Sequence, residues 1–191
     1  MSSTQNTGGL SALELDRSRF PELHGGSLSV RIAETDDERD AAQALRYRVF
    51  YEEMGAHPSA ETLRLKRDID EFDAVADHLL VIDNAIASDA RGVVGTYRLV
   101  QGDAAQKIGR FYSSNEYDIT PLKEFPGRLL EVGRSWVDKT YRGRAAMQLL
   151  WRGLAPYIFL PPIYLLFRRP RLPCTHPPPL PGAPASPYPT P

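Results

Sequence analysis

The chain has 191 residues, 42% hydrophobic and 25% charged, with 23 basic against 24 acidic side chains and a formal net charge of −1. These are the values of a globular domain with a buried core, and they exclude collagen-like, wholly disordered and disulfide-scaffold chains. The near-neutral balance also argues against a dedicated nucleic-acid binder, which needs a basic excess to neutralise phosphates.

Residues 1–27 are polar and glycine-bearing, and read as a flexible leader; the first ten have neither the basic nor the apolar stretch of a signal peptide. From Leu28 the run Leu-Ser-Val-Arg-Ile-Ala33 alternates as a half-buried strand does. Thr35-Asp-Asp-Glu38 is a capping box that opens a helix, with Ala41, Leu45 and Val49 spaced by four and Gly55 as its stop. Residues 56–77 read as a charged loop with a short helix. His78-Leu-Leu-Val-Ile-Asp83 and Val93-Val-Gly-Thr-Tyr-Arg-Leu-Val100 predict two hairpin strands around a turn, and residues 128–137 predict another strand. A second helix then follows, with Met147, Leu150, Trp151 and Leu154 as one apolar stripe. The order predicts an α/β fold, a mixed central sheet flanked by helices.

The C-terminal end is unlike the rest. Of 17 prolines, 13 lie between Pro156 and Pro191, and no Asp or Glu follows Asp138. Proline removes backbone donors, so neither strand nor helix continues through residues 168–191, which read as a disordered Pro-rich tail. A shifted reading frame accounts for the abrupt change better than a proline-rich ligand does. The apolar run from Trp151 to Phe167 is broken by Arg152, Pro156, Pro161 and Pro162 and fails as a membrane span. Cys174 is the single cysteine, which excludes an internal disulfide and points to a reducing cytoplasm.

Chemistry concentrates in a few clusters. Arg46 and Arg48, two apart on one helix, point to different faces, so only one aims inward. Asp68, Asp70, Glu71, Asp73 and Asp77 form an acidic stretch without calcium-loop spacing, and no zinc-type His/Cys set occurs, so no metal is expected. Arg98 interrupts a strand pattern and is either partnered or lines a cleft. Glu131, between apolar neighbours on a strand, requires a partner such as Arg98 or Arg134. Tyr141-Arg-Gly-Arg144 opens a helix directly after a strand, where backbone N–H groups and the helix dipole favour an anion.

Taken in order, Leu45-Arg-Tyr-Arg-Val-Phe-Tyr-Glu-Glu-Met-Gly55, Asp70-Glu-Phe-Asp73, Asp77-His-Leu-Leu80, Val94-Gly-Thr-Tyr-Arg98, Phe111-Tyr-Ser113, Leu130-Glu-Val-Gly-Arg134, Tyr141-Arg-Gly-Arg144 and Leu149-Leu-Trp151 resemble the L-ornithine Nα-acyltransferases, GNAT-like enzymes of ornithine-lipid biosynthesis. The acyl-homoserine-lactone synthases are similar over a sparser set, Arg48, Phe50, Asp70, Asp73, Arg98, Glu131 and Arg134. The resemblance covers residues 28–167. It implies a GNAT-like sheet whose C-terminal strands are missing here, and hence a destabilised, poorly active chain. The implied reaction moves a 3-hydroxyacyl group from acyl carrier protein to the α-amine of L-ornithine. No cofactor is implied beyond the phosphopantetheine arm of that donor. Ordinary GNAT enzymes bind the coenzyme A pyrophosphate with a glycine-rich loop; Ala145 and Met147 stand in its glycine positions, which suits a carrier-protein donor.

Under this reading Glu131 is the general base and Arg134 joins it as a catalytic residue, while Arg48, Asp70, Asp73 and Arg98 bind the substrate. Either Arg98 or Arg134 clamps its carboxylate, and either Asp70 or Asp73 takes its distal ammonium. Lys139, Arg142, Gly143 and Arg144 meet the acidic carrier protein and its phosphopantetheine. The expected place is the cytoplasm, with peripheral contact at the inner face of the membrane.

Overall fold

A computed structural model describes residues 20–159 and 163–169. Its elements are β1 (Leu23–Gly25), β2 (Leu28–Ile32), α1 (Asp36–Tyr47), α2 (Ala60–Leu65), β3 (Asp77–Asp83), β4 (Val93–Gln101), α3 (Gly102–Ile108), α4 (Thr120–Lys123), β5 (Leu129–Val137), α5 (Arg144–Phe159) and β6 (Leu165–Phe167). The strands form one sheet in sequence order, antiparallel from β1 to β5 and parallel between β5 and β6. The expected mixed sheet flanked by helices is therefore present. β1, inside the stretch read as leader, pairs with β2; residues 1–19 and the tail from 170 lie outside the described residues.

The pleat sorts the core into two layers. On one face Val30, Leu79, Val81, Tyr97, Leu99, Leu130 and Val132 pack against Leu149, Leu150, Leu154 and Tyr157 of α5. On the other, Leu80, Ile82 and Val93 meet Ala42, Leu45 and Val49 of the first helix, while Val100 and Leu129 meet Phe72, Ala105 and Phe111. The capping box at Thr35 and Glu38 is formed as expected. α1 then runs into a π-helical turn, Arg48–Glu53, in which Met54 donates to the carbonyl of Val49 at 3.1 Å, and Gly55 follows in the left-handed region at φ +72°.

The stripe expected on the second helix is corrected in part. Leu150 and Leu154 are buried, but Met147 and Trp151 are 45% and 52% exposed. α5 is apolar around most of its circumference, so spacing alone offers more than one face. Gly153 settles the choice by proximity: a Cβ there would stand 2.6 Å from Cγ2 of Val30. The face that can approach the sheet most closely is the one that packs.

Two irregularities shape the middle of the sheet. Between the pairs Thr96–Trp136 and Arg98–Gly133, one residue of β4 faces two of β5, which is a β-bulge. Arg134 lies in that bulge with φ +52°, a left-handed conformation that is strained for a side chain of this size. β6 pairs only with Leu129, Leu130 and Glu131, so among the described residues no strand covers the outer edge of β5 beyond them. The prediction from the tight helix contact is that Gly153→Leu lowers the unfolding free energy by about 1–3 kcal/mol through overpacking. Urea denaturation checks it, and an unchanged midpoint contradicts it.

Candidate active site

The site begins with a turn that organises itself. In the 3₁₀ turn Glu71–Ala74, Asp70 accepts from the backbone N–H of Phe72 at 3.0 Å, and Asp73 accepts from the backbone N–H of Asp70 at 3.0 Å. The N–H of Asp68 is tied to the carbonyl of Gln43 on α1 at 3.1 Å. These bonds hold the three aspartates between α1 and the sheet, where Arg46 of α1 and Arg98 and Arg134 of the sheet meet them.

The six side chains close into a ring of alternating charge. Arg46 pairs with Asp68 at 3.1 Å, Asp68 with Arg134 at 3.5 Å, and Arg134 with Asp70 at 3.2 Å. Asp70 pairs with Arg98, Arg98 with Asp73 at 3.2 Å, and Asp73 returns to Arg46 at 2.7 Å. Arg46 is fork-bound to Asp73 through both terminal nitrogens and also donates to the Asp68 carbonyl. Its side chain has no exposure, against 3% for Arg98 and 4% for Asp73. Only Asp70, at 21%, and Arg134, at 17%, reach toward solvent, and they are partners. An open cleft bordered by Arg39, Asp40, Gln43 and Arg67 reaches Asp70.

The electrostatics follow from this closure. Burial acts to raise the Asp73 carboxyl, but the hydrogen bonds and charge of Arg46, with Arg98, outweigh it and hold it far below the usual range. Asp70 is also lowered: burial and Asp73 oppose, and Arg98 and Arg134 prevail. His78, cross-strand from Arg98 and 3.8 Å from Asp73, is pushed down to about 4 by burial, with Asp73 opposing and Arg46 and Arg98 assisting. It is a neutral imidazole at neutral pH.

Of the residues expected at the site, the structure gathers Asp70, Asp73, Arg98 and Arg134. Arg48 stands apart: its side chain is 47% exposed and 3.9 Å from Asp138, because the inward place on that helix belongs to Arg46. Arg46 was legible in principle, since it stands four residues after buried Ala42 and three before buried Val49, on the stripe that packs. Glu131 does not pair with Arg98 or Arg134. It is 3% exposed and accepts from the N–H of Tyr112 at 2.7 Å, the N–H of Ser113 at 2.8 Å and the Ser113 hydroxyl at 2.5 Å. Tyr112 and Ser113 carried no local chemical pattern that marks such a role. Lys139, Arg142 and Gly143 lie exposed between β5 and α5, and Arg144 begins α5; its side chain lies outside the described residues. Arg142 pairs with Glu53 and donates to the carbonyl of Val137 at 3.0 Å. Among the described residues no group of three His, Cys, Asp or Glu is placed to hold a metal ion.

A guanidinium and a carboxylate presented side by side can bind a zwitterion, the one taking an anionic and the other a cationic group. The four more enclosed members hold that pair in place. Two predictions follow from the burial. Arg46→Met orphans two buried carboxylates and costs about 3–5 kcal/mol of stability, while Arg134→Met at the exposed vertex costs less than half as much; equal losses contradict the ordering. His78 has a lower proton affinity folded than unfolded, so its contribution is present above the ordinary histidine value of about 6.5 and is lost as pH falls toward 4. Between pH 7 and 5 that loss is about 2 kcal/mol, and His78→Leu removes it; identical pH slopes for the two proteins contradict this. Asp70 and Asp73 add a further loss only below the usual carboxylate range.

Comparison with known proteins places the chain in a family. Residues 45–152 match the family model described as the acetyltransferase (GNAT) domain. The chain is 50% identical over 130 residues to the L-ornithine Nα-acyltransferase of Rhizobium meliloti (strain 1021), covering 66% of this chain and 44% of that one. It is 48% identical over 131 residues to the enzyme of the same name from Agrobacterium fabrum (strain C58 / ATCC 33970), covering 67% and 45% respectively. The chain thus spans a little under half the length of these relatives. Among solved structures, FeeM, an N-acyl amino acid synthase from uncultured soil microbes, aligns with TM-score 0.49 and 20% identity over 69% of this chain and 65% of that one. The family match includes Arg46, the three aspartates, Arg98 and Arg134, and the chain belongs to the GNAT acyltransferase family.

Proposed function

We propose that this chain carries the acyl-transfer site of an L-ornithine Nα-acyltransferase, moving a 3-hydroxyacyl group from acyl carrier protein to the α-amine of L-ornithine to give a lyso-ornithine lipid. The observation that carries the reading is the Arg134–Asp70 pair, the vertex of the charge ring that reaches furthest toward solvent. Ornithine bears a carboxylate and a distal ammonium. Arg134 is the group suited to the first and Asp70 to the second, while Asp73 and Arg98, saturated by their neighbours, hold the pair in register. Its relatives' names point to the same substrate.

The chemistry needs little more from the protein than placement. The amine lone pair attacks the thioester carbonyl, the C–N bond forms and the C–S bond breaks. The amine loses one proton, and the departing sulfur gains one. The developing oxyanion needs a donor, and the bulge at Arg134 and Ser135 takes backbone out of the regular ladder on the uncovered part of β5. The donor's phosphodiester and the acidic surface of the carrier protein would meet Lys139, Arg142, Gly143 and Arg144, which are exposed or open the helix. Exposed Met147 and Trp151, beside Arg152 on α5, suit peripheral contact with the inner face of the membrane. Among the described residues no helix is long and apolar enough to cross one.

The test is expression of the chain in a bacterial host that makes no ornithine lipid, with thin-layer analysis of lipids and a lactone reporter strain read in parallel. Lyso-ornithine lipid is expected, reduced at least ten-fold by Arg134→Lys and by Asp70→Asn. Accumulation of folded protein without that lipid, or a lactone signal in its place, overturns the proposal.

A further inference from the structure

We infer that Glu131 is a positioning residue: it holds Tyr112 over the guanidinium of Arg134, and through that ring sets the orientation of the group that receives the substrate carboxylate. The inference deepens the proposed function and rests on it for its kinetic consequences. Glu131 occupies the strand between buried Leu130 and Val132, where an unpartnered carboxylate is costly. Among the described residues all its donors come from one place, the short turn Tyr112–Asn115, through two backbone N–H groups and the Ser113 hydroxyl. That turn has no side-chain cap of its own at Phe111. A carboxylate from the sheet supplies it instead, so the turn sits where Glu131 puts it.

What the turn carries is the Tyr112 ring. Cζ of Arg134 lies 5.2 Å from the ring centroid and Cζ of Arg98 lies 5.4 Å from it, both within cation–π range. Phe72 meets the same ring edge-on, with centroids 5.8 Å apart and planes at 79°. Arg134 needs such support. Its backbone is in a left-handed bulge, its Nε has no hydrogen-bond partner, and Asp68 and Asp70 hold only its terminal nitrogens. The ring within cation–π range of the guanidinium limits its movement on that side and leaves the other side for a planar anion, which an arginine recognises through two parallel hydrogen bonds. Both Glu131 oxygens are engaged by the turn, so this carboxylate acts on the substrate through Tyr112 and Arg134.

The experiment has a structural arm and a kinetic arm on the full chain. In ¹H–¹⁵N spectra of the arginine side chains, the Nε–H of Arg134, assigned by its absence in Arg134→Lys, is expected to be displaced upfield by the Tyr112 ring current. Glu131→Gln should shift it in the same direction as Tyr112→Leu, and Tyr112→Phe should shift it less. Ser113→Ala, which removes one of three bonds to Glu131 and is the milder change if Glu131→Gln does not fold, should produce a smaller displacement of the same sign. In turnover, Glu131→Gln and Tyr112→Leu should each raise the KM for the amino acid about ten-fold, with kcat changed less than three-fold and the double variant no worse than either alone. An Arg134 resonance that stays in place in Glu131→Gln and Ser113→Ala overturns the inference. So does a Glu131→Gln variant that loses kcat and the acidic limb of its pH profile while Tyr112→Leu keeps both. A chain that turns over no ornithine refutes the proposed function and leaves the spectra to decide the inference.

Discussion

Three arginines and three aspartates, nearly all removed from water, can coexist only if every charge has two opposite neighbours. The ring Arg46–Asp68–Arg134–Asp70–Arg98–Asp73 meets that condition, and its members come from α1, the loop before β3, β4 and β5. Removing any enclosed member leaves a buried charge unbalanced, which is far more costly than losing a surface pair. The ring therefore locks the helix, the loop and the sheet into one relative placement. Beside it, burial keeps His78 neutral, with Arg46 and Arg98 assisting and Asp73 opposing.

The same closure grades the ring by depth. The members with no room for another partner lie deepest, and the pair at the open vertex contains the residue whose backbone departs most from its strand. Strain at Arg134 is tolerated because bulge, ring and aromatic face all bear on it. Glu131 belongs to this supporting layer. Its position on a central strand suits a catalytic carboxylate, yet its bonds lead to a loop and to the ring beside Arg134.

Much of the fold was legible in the chain because its signals are local. The Thr35–Glu38 capping box, the alternation of Leu28 to Ile32 and the strand runs near His78, Val93 and Leu129 each depend on neighbours within a few residues. The face of α5 was less legible, since Met147 and Trp151 fit a helical stripe as well as Leu149 and Leu150 do. Only the approach of Gly153 to Val30 distinguishes them, and that contact spans the whole domain. At the site, Arg98 and Arg134 stood out as charges in strand-like runs, and Asp70 and Asp73 as members of an acidic stretch. Arg46 rather than Arg48 turned inward because of helix phase, and Tyr112 entered through a bond from a residue on another element. Neither Tyr112 nor Ser113 is unusual in its own segment, so their role becomes visible only when Glu131 is placed beside them.

The central claim is that the charges act as one closed unit and not as separate pairs. A double-mutant cycle between Arg46 and Asp70, which stand opposite each other in the ring and share no direct ion pair, Arg46→Met with Asp70→Leu, measured by urea unfolding at neutral pH, tests it most directly. A closed ring predicts that their losses are not additive, with a coupling of about 1 kcal/mol or more. Losses that add to within about 0.5 kcal/mol would contradict it.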